Sequence, residues 1–164
     1  MSKVQPIPAG YSTVTPGLTV KNAKEAMEFY KKAFGAEQHH DICWDEKNEK
    51  VMHAEMKIGN SIIMINDEFP EWGCAGPSTL GNTPVSFYIY VENCDELFER
   101  ATKAGATAIF PVSDSFWGDR HGCVQDPFGH KWSIATHVAD YTPEQIEKNK
   151  TEWMKKQKDL ACAK

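Results

Sequence analysis

"LTVKNAKEAMEFYKKAFGA" occupies residues 18–36 and "IYVENCDELFERATKAGA" occupies residues 89–106. A shift of 71 residues lays Val20 on Val91, Asn22 on Asn93, Glu25 on Glu96 and Ala33 on Ala104. Asn22 with Glu25, and Asn93 with Glu96, each pair an N-cap residue with a carboxylate three positions on, the spacing of a capping box. Ala26, Phe29, Tyr30 and Ala33 share one helical face, as do Cys94, Leu97, Phe98, Ala101 and Ala104. Gly35 and Gly105 are natural stops just past each helix.

Working outward, each helix follows a strand-like run, "STVTPGLTV" (12–20) and "VSFYIYV" (85–91). Three more strand candidates follow each helix. In the first half they are "EQHHDICW", "VMHAEMKIG" and "SIIMIND"; in the second, "ATAIFPV", "RHGCVQD" and "HKWSIATH". Turn-rich segments separate them, among them "DPFG" at 126–129, where Pro127 and Gly129 suit a turn and Asp126 reads as a turn residue. The pattern predicts an α+β fold of two βαβββ modules, about 11–66 and 84–137. A linker, 67–83, reads as an exposed Pro/Gly-rich loop. One module alone buries little core, so the two are expected to share one within a single domain. A C-terminal helix is expected over about 142–158, with Thr142 as N-cap, Pro143 at N1 and Gln145 completing a box.

The 164 residues carry a net charge of −5 and no basic block, which argues against nucleic acid or an anionic membrane surface as partner. No apolar run approaches the ~20 residues of a membrane span. The first residues lack the apolar stretch of a secretory signal, so a cytoplasmic location is the expectation. Five cysteines without a CxxC spacing suggest reduced thiols rather than a disulfide framework or zinc knuckle.

The stretches "TPGLTVKNAKEAMEFYKKAFGAE", "HAEMKIGNSIIMINDE" and "WGDRHGCVQDPFGHKWSIATH" make the chain resemble the vicinal oxygen chelate superfamily. That superfamily includes glyoxalase I, bleomycin- and fosfomycin-resistance proteins and extradiol dioxygenases. The likeness is to the PhnB-like branch and covers about residues 11–141. It implies a curved sheet in each module, wrapping a cup that in relatives holds a divalent metal. There the metal grips two neighbouring substrate oxygens and stabilises developing negative charge. Carried over position by position, the ligand sites fall on Thr15, Met64 (or Ile63 with a register slip), Ser86 and Ser133. Hydroxyls bind hard divalent ions weakly and a thioether prefers soft metals, so the usual metal site is expected to be absent.

A relocated site is the alternative. His53 and Glu55 are two apart on one strand and share a face; with His121 they could hold one divalent ion such as Zn, Ni, Fe or Mn. His39 and His40, adjacent on a continuous strand, would point to opposite faces. The cup is expected to be lined by Thr15, Met64, Ser86, Tyr88, Tyr90 and Ser133, a mixture of aromatic and hydroxyl groups suited to a small, partly aromatic ligand. Equally, Tyr88 and Tyr90 could fill a core. Trp117 could close over a ligand and Arg120 could hold its carboxylate or phosphate.

The leading expectation is a homodimer that binds a small organic molecule and needs no cofactor. A metal-dependent, glyoxalase-like lyase or dioxygenase is the competitor. A third reading is a metal-free enzyme using Tyr88, Tyr90 or His53 as acid or base.

Overall fold

Asn22 opens the first helix as its spacing predicts. Its side-chain oxygen accepts the Glu25 backbone N–H at 3.2 Å, and its amide donates to the Glu25 carboxylate at 3.1 Å. Asn93 accepts the Glu96 backbone N–H at 3.2 Å. Gly35 and Gly105 close the two helices in left-handed backbone.

The structure, a computed structural model, describes residues 4–162. The first module runs β1 (Gly17–Val20), α1 (Ala23–Phe34), β2 (Glu37–Gln38), β3 (Cys43–Trp44), β4 (Val51–Ile58) and β5 (Ser61–Asp67). A 3-10 turn at Pro70–Trp72 and a one-turn helix α2 (Pro77–Leu80) occupy the linker. The second module runs β6 (Ser86–Tyr90), α3 (Cys94–Ala104), β7 (Thr107–Asp114), β8 (Asp119–Gln125) and β9 (Lys131–His137), and helix α4 (Pro143–Cys162) follows.

The two modules repeat one topology. In the first sheet the order is β1-β5-β4-β2, with β3 also on β4; in the second it is β6-β9-β8-β7. The module's first strand is parallel to its last in both cases, with Gly17 opposite Met64 and Tyr88 opposite Ser133. Among the described residues, no strand of one sheet pairs with a strand of the other.

Each helix covers one face of its own sheet, and α1 packs directly on α3. The apolar faces read from the helical periodicity meet there. Ala26, Tyr30, Ala33, Cys94 and Ala101 are buried in one cluster that continues into Trp132 and Ile134 of β9. Each fully buried large aliphatic side chain, such as Leu18 or Ile134, contributes about 1.5–3 kcal/mol. The shared core expected of two undersized modules is therefore built by the helices, and the opposite face of each sheet is left open. Alternation along β6 shows the division. Phe87 and Ile89 pack on the core, while Ser86, Tyr88 and Tyr90 face away.

Four local expectations are corrected. The first strand begins at Gly17, not at Ser12, so Thr15 precedes it; a Thr15 hydroxyl bonded to the Ser12 carbonyl turns the chain there. The run 37–44 is two short strands, because pairing with β4 breaks after Gln38. The linker is not a loose loop. Phe69, Pro77 and Thr83 are buried, and the Ser78 hydroxyl donates to the Phe128 carbonyl at 2.7 Å. The C-terminal helix extends to Cys162, past the expected end at 158. Its capping box forms as read, with Thr142 and Gln145 exchanging hydrogen bonds.

Cys43, Cys74, Cys94 and Cys123 carry free thiols; the Cys162 side chain lies outside the described ones. Among the described residues no helix is long and apolar enough to cross a membrane.

Candidate functional site

Two open sheet faces gather the chemistry. On the second sheet, strand alternation brings Tyr88 and Tyr90 of β6, Ser133 of β9, His121 and Cys123 of β8 and Phe110 of β7 to one side. The Tyr88 ring lies nearly parallel to the His121 imidazole at 6.0 Å and tilts against Tyr90 at 5.3 Å. Phe110 meets the same imidazole edge-on at 5.3 Å, and Trp117 approaches it at 5.2 Å. Tyr88 remains 45% exposed and Tyr90 61%, so this is a half-open aromatic surface and not a filled core.

Hydrogen bonds hold the surface in place. The buried Asp119 carboxylate accepts from the Tyr90 hydroxyl and the Trp117 indole N–H, each at 2.9 Å, and contacts His137 Nδ1 at 2.8 Å. Burial works to raise the Asp119 carboxyl, but the bonds from His137, Trp117 and Tyr90 outweigh it and keep it below its ordinary value. His121 Nδ1 lies 2.7 Å from the Ser115 hydroxyl. Burial lowers the His121 imidazole against the pull of Asp119, which favours its neutral form.

Burial, with Tyr90 and Asp119 alongside, pushes the Tyr88 phenol up to about 12. The bond to Asp119 raises Tyr90, and burial raises the Cys123 thiol. Both phenols and the thiol hold their protons at neutral pH. The face thus offers rings and hydrogen-bond donors, with no activated nucleophile among these groups.

Arg120 does not belong to this face. It lies one residue out of phase with Asp119 and His121 and points to the helix side. There its guanidinium makes two 2.7 Å bonds to Asp95 of α3 and one of 3.0 Å to Asp114. Against the expectation that it grips a ligand anion, three of its five N–H donors go to two carboxylates of its own chain.

The first sheet's open face borders a cleft of about 370 Å³, lined by Tyr11, Thr15, Glu55 and Met64 with the 6–8 segment. Glu55 stands opposite Met64 across β4 and β5. Its carboxylate accepts the Tyr11 hydroxyl, and His53 Nε2 lies 3.0 Å away. Tyr11 was not legible as a site residue, since it sits in a segment with no periodic pattern. Burial acts to raise the Glu55 carboxyl; the Tyr11 and His53 bonds outweigh this and hold it below the ordinary carboxylate range.

The metal expectations can be placed on this geometry. Thr15 and Met64 share the first cleft, while Ser86 and Ser133 lie on the second sheet. The Thr15 hydroxyl already donates to a carbonyl, and Ser133 is buried beside Cys123. A thioether and three hydroxyls do not make a hard-metal site, so these four positions do not fit the divalent metal that the resemblance implies. The alternative trio of His53, Glu55 and His121 is not assembled. His53 and Glu55 are together, but His121 is on the other module's sheet. The expectation that His39 and His40 point apart is also corrected. They follow the end of β2, where strand alternation no longer applies, and their rings lie 4.2 Å apart.

A family model for the Glyoxalase/Bleomycin resistance protein/Dioxygenase superfamily matches residues 12–134, and the chain belongs to that superfamily. An uncharacterized protein of Mycobacterium bovis is 38% identical over 138 residues, 82% of this chain and 89% of that one. Among solved structures, TioX from Micromonospora sp. ML1 superposes with a TM-score of 0.60 at 28% identity, over 77% of this chain and all but 1% of its own, as 99% is covered. The PhnB protein of Bacillus cereus superposes with a TM-score of 0.58 at 20% identity, over 78% of this chain and 100% of its own, a likeness of fold.

Proposed function

We propose that this chain binds a small organic molecule with a flat aromatic group, without a metal at the superfamily's usual positions. The observation that carries the reading is the half-open cluster of Tyr88, Phe110, Trp117 and His121, prearranged by Asp119 and Ser115. Rings fixed in place before binding lose little freedom when a ligand stacks on them. Tyr90 at the rim and the hydroxyls of Ser86 and Ser133 supply polar contacts; Thr15 and Met64, which lie on the first sheet, reach this ligand in this reading from the second copy of the homodimer. The chain works as a homodimer in this reading, because an aromatic surface this exposed needs a cover and a second copy provides one.

Tryptophan fluorescence tests it. Acridine should quench Trp117 saturably, and Tyr88→Ala should weaken that affinity at least tenfold. Quenching that never saturates, or that Tyr88→Ala leaves unchanged, would remove the proposal. Light scattering at micromolar concentration should give twice the chain mass; the mass of one chain would remove the dimer. The metal-dependent lyase remains the second reading, favoured only by Glu55 and its histidine neighbours.

A further inference from the structure

Glu55 is 7% exposed, and the side chains the structure places against its carboxylate are Tyr11, His53 and His40. Among the described residues none is Lys or Arg, so imidazoles and a phenol hold this buried carboxylate, and a bound cation would supply the countercharge that buried charges generally keep. Hydrogen bonds to the backbone hold His39 and His40 beside it. The His39 N–H donates to the Glu55 carbonyl at 2.9 Å, and the Gln38 side chain holds the His40 carbonyl at 2.9 Å. One ligand atom from each of His39, His40 and Glu55 falls within 4.8 Å of the others, and they form a trio with metal-ligating chemistry.

We propose that His39, His40 and Glu55 bind one divalent transition ion of the zinc type. The trio's Glu55 lies one strand in from Met64, and the two histidines follow the next strand, β2. Zinc bonds of about 2.0–2.1 Å in a tetrahedron set ligand atoms about 3.3 Å apart. Closing from 4.8 Å to that spacing takes side-chain rotation, which the part-exposed His39 and exposed His40 leave room for. Two imidazoles and one carboxylate suit zinc, nickel or iron(II). Tyr11 and His53, on the two carboxylate oxygens, would orient Glu55 from outside the coordination shell. Three protein ligands leave a fourth position. Because Glu55 and Tyr11 also line the 370 Å³ cleft, that position opens toward a space able to admit water or a small oxygen- or nitrogen-donor molecule.

The test uses untagged full-length protein, stripped with chelator and dialysed. Titration calorimetry with zinc chloride and visible spectroscopy with cobalt(II) should each show one saturable equivalent, with cobalt bands of a four- or five-coordinate ion. His39→Ala/His40→Ala should weaken uptake at least tenfold. These two residues are partly or fully exposed, so the variant keeps the fold and the readout holds even if Glu55→Gln does not fold. Tyr11→Phe should weaken it by roughly tenfold. His137→Ala, in the other module, should leave it unchanged. No saturable uptake, or uptake that survives the double variant, overturns the proposal. Acridine binding at Tyr88 is read separately and is independent of either outcome.

Discussion

The Tyr30 hydroxyl donates to the Asp126 carboxylate at 2.7 Å, joining α1 of the first module to the turn before the last strand of the second. The same oxygen of Asp126 accepts the Trp132 indole N–H at 2.9 Å, and its other oxygen accepts the backbone N–H groups of Phe128 and His130, each at 2.9 Å. Four donors converge on one side chain that is 4% exposed. Asp126 is thus a turn residue, as its motif indicates, and also the polar tie between modules. Asp126→Asn places an amide N–H₂ against two of these donors. It should destabilise the fold by about 2–4 kcal/mol, measured as a lower midpoint in urea with an unchanged slope.

Gly118 holds the loop that carries Trp117. Its φ of 105° suits glycine, and a Cβ there would stand 2.0 Å from the Ala139 carbonyl oxygen. Its own carbonyl accepts the N–H groups of Val138 and Ala139. Gly118→Ala should cost about 1–3 kcal/mol and lower the melting temperature. Trp117 should also shift its emission, because the indole can no longer reach both Asp119 and the His121 ring.

His137 should titrate above its ordinary value of about 6.5. Hydrogen bonds to Asp119 and Asp140 favour its charged form. With a raised folded value, the stabilising contribution is complete below the unfolded value and is lost as pH rises through the folded one. The Asp119 partner has the opposite sense: its contribution is lost as pH falls through its lowered value. Imidazole proton shifts followed by NMR should show the raised midpoint, and Asp119→Asn should bring it down. A midpoint that does not move would show that Asp119 is not its cause.

Arg120→Ala separates a structural role from ligand binding. The side chain links β8 to α3 through Asp95 and is about a third exposed. Removing it should lower the midpoint of chemical denaturation slightly, as expected of a solvent-screened ion pair. Acridine affinity should stay within a factor of two.

The duplicated fold was legible because its signals are local. Asn22 and Asn93 cap, Gly35 and Gly105 stop, and both helices keep a 3.6-residue apolar stripe. The outward placement of Tyr88 and Tyr90 follows from period two along an unbroken strand. Period two fails where a strand does. "EQHHDICW" looks continuous, yet the ladder stops after Gln38, and that break lets His39 and His40 face the same carboxylate. Arg120 was legible in principle. Once His121 and Cys123 share the open face, the residue between Asp119 and His121 must lie behind it. Tyr11 and the Asp126 tie depend on contacts 44 and 96 residues apart, which no local pattern encodes.

Strand β6 keeps two messages interleaved. Phe87 and Ile89 answer to the interior, and the three residues between and beside them answer to whatever lies outside. Such a strand allows selection to rewrite one message while leaving the other intact. A descendant could trade Tyr88 for another ring, or for a charge, and inherit the same scaffold with a different appetite.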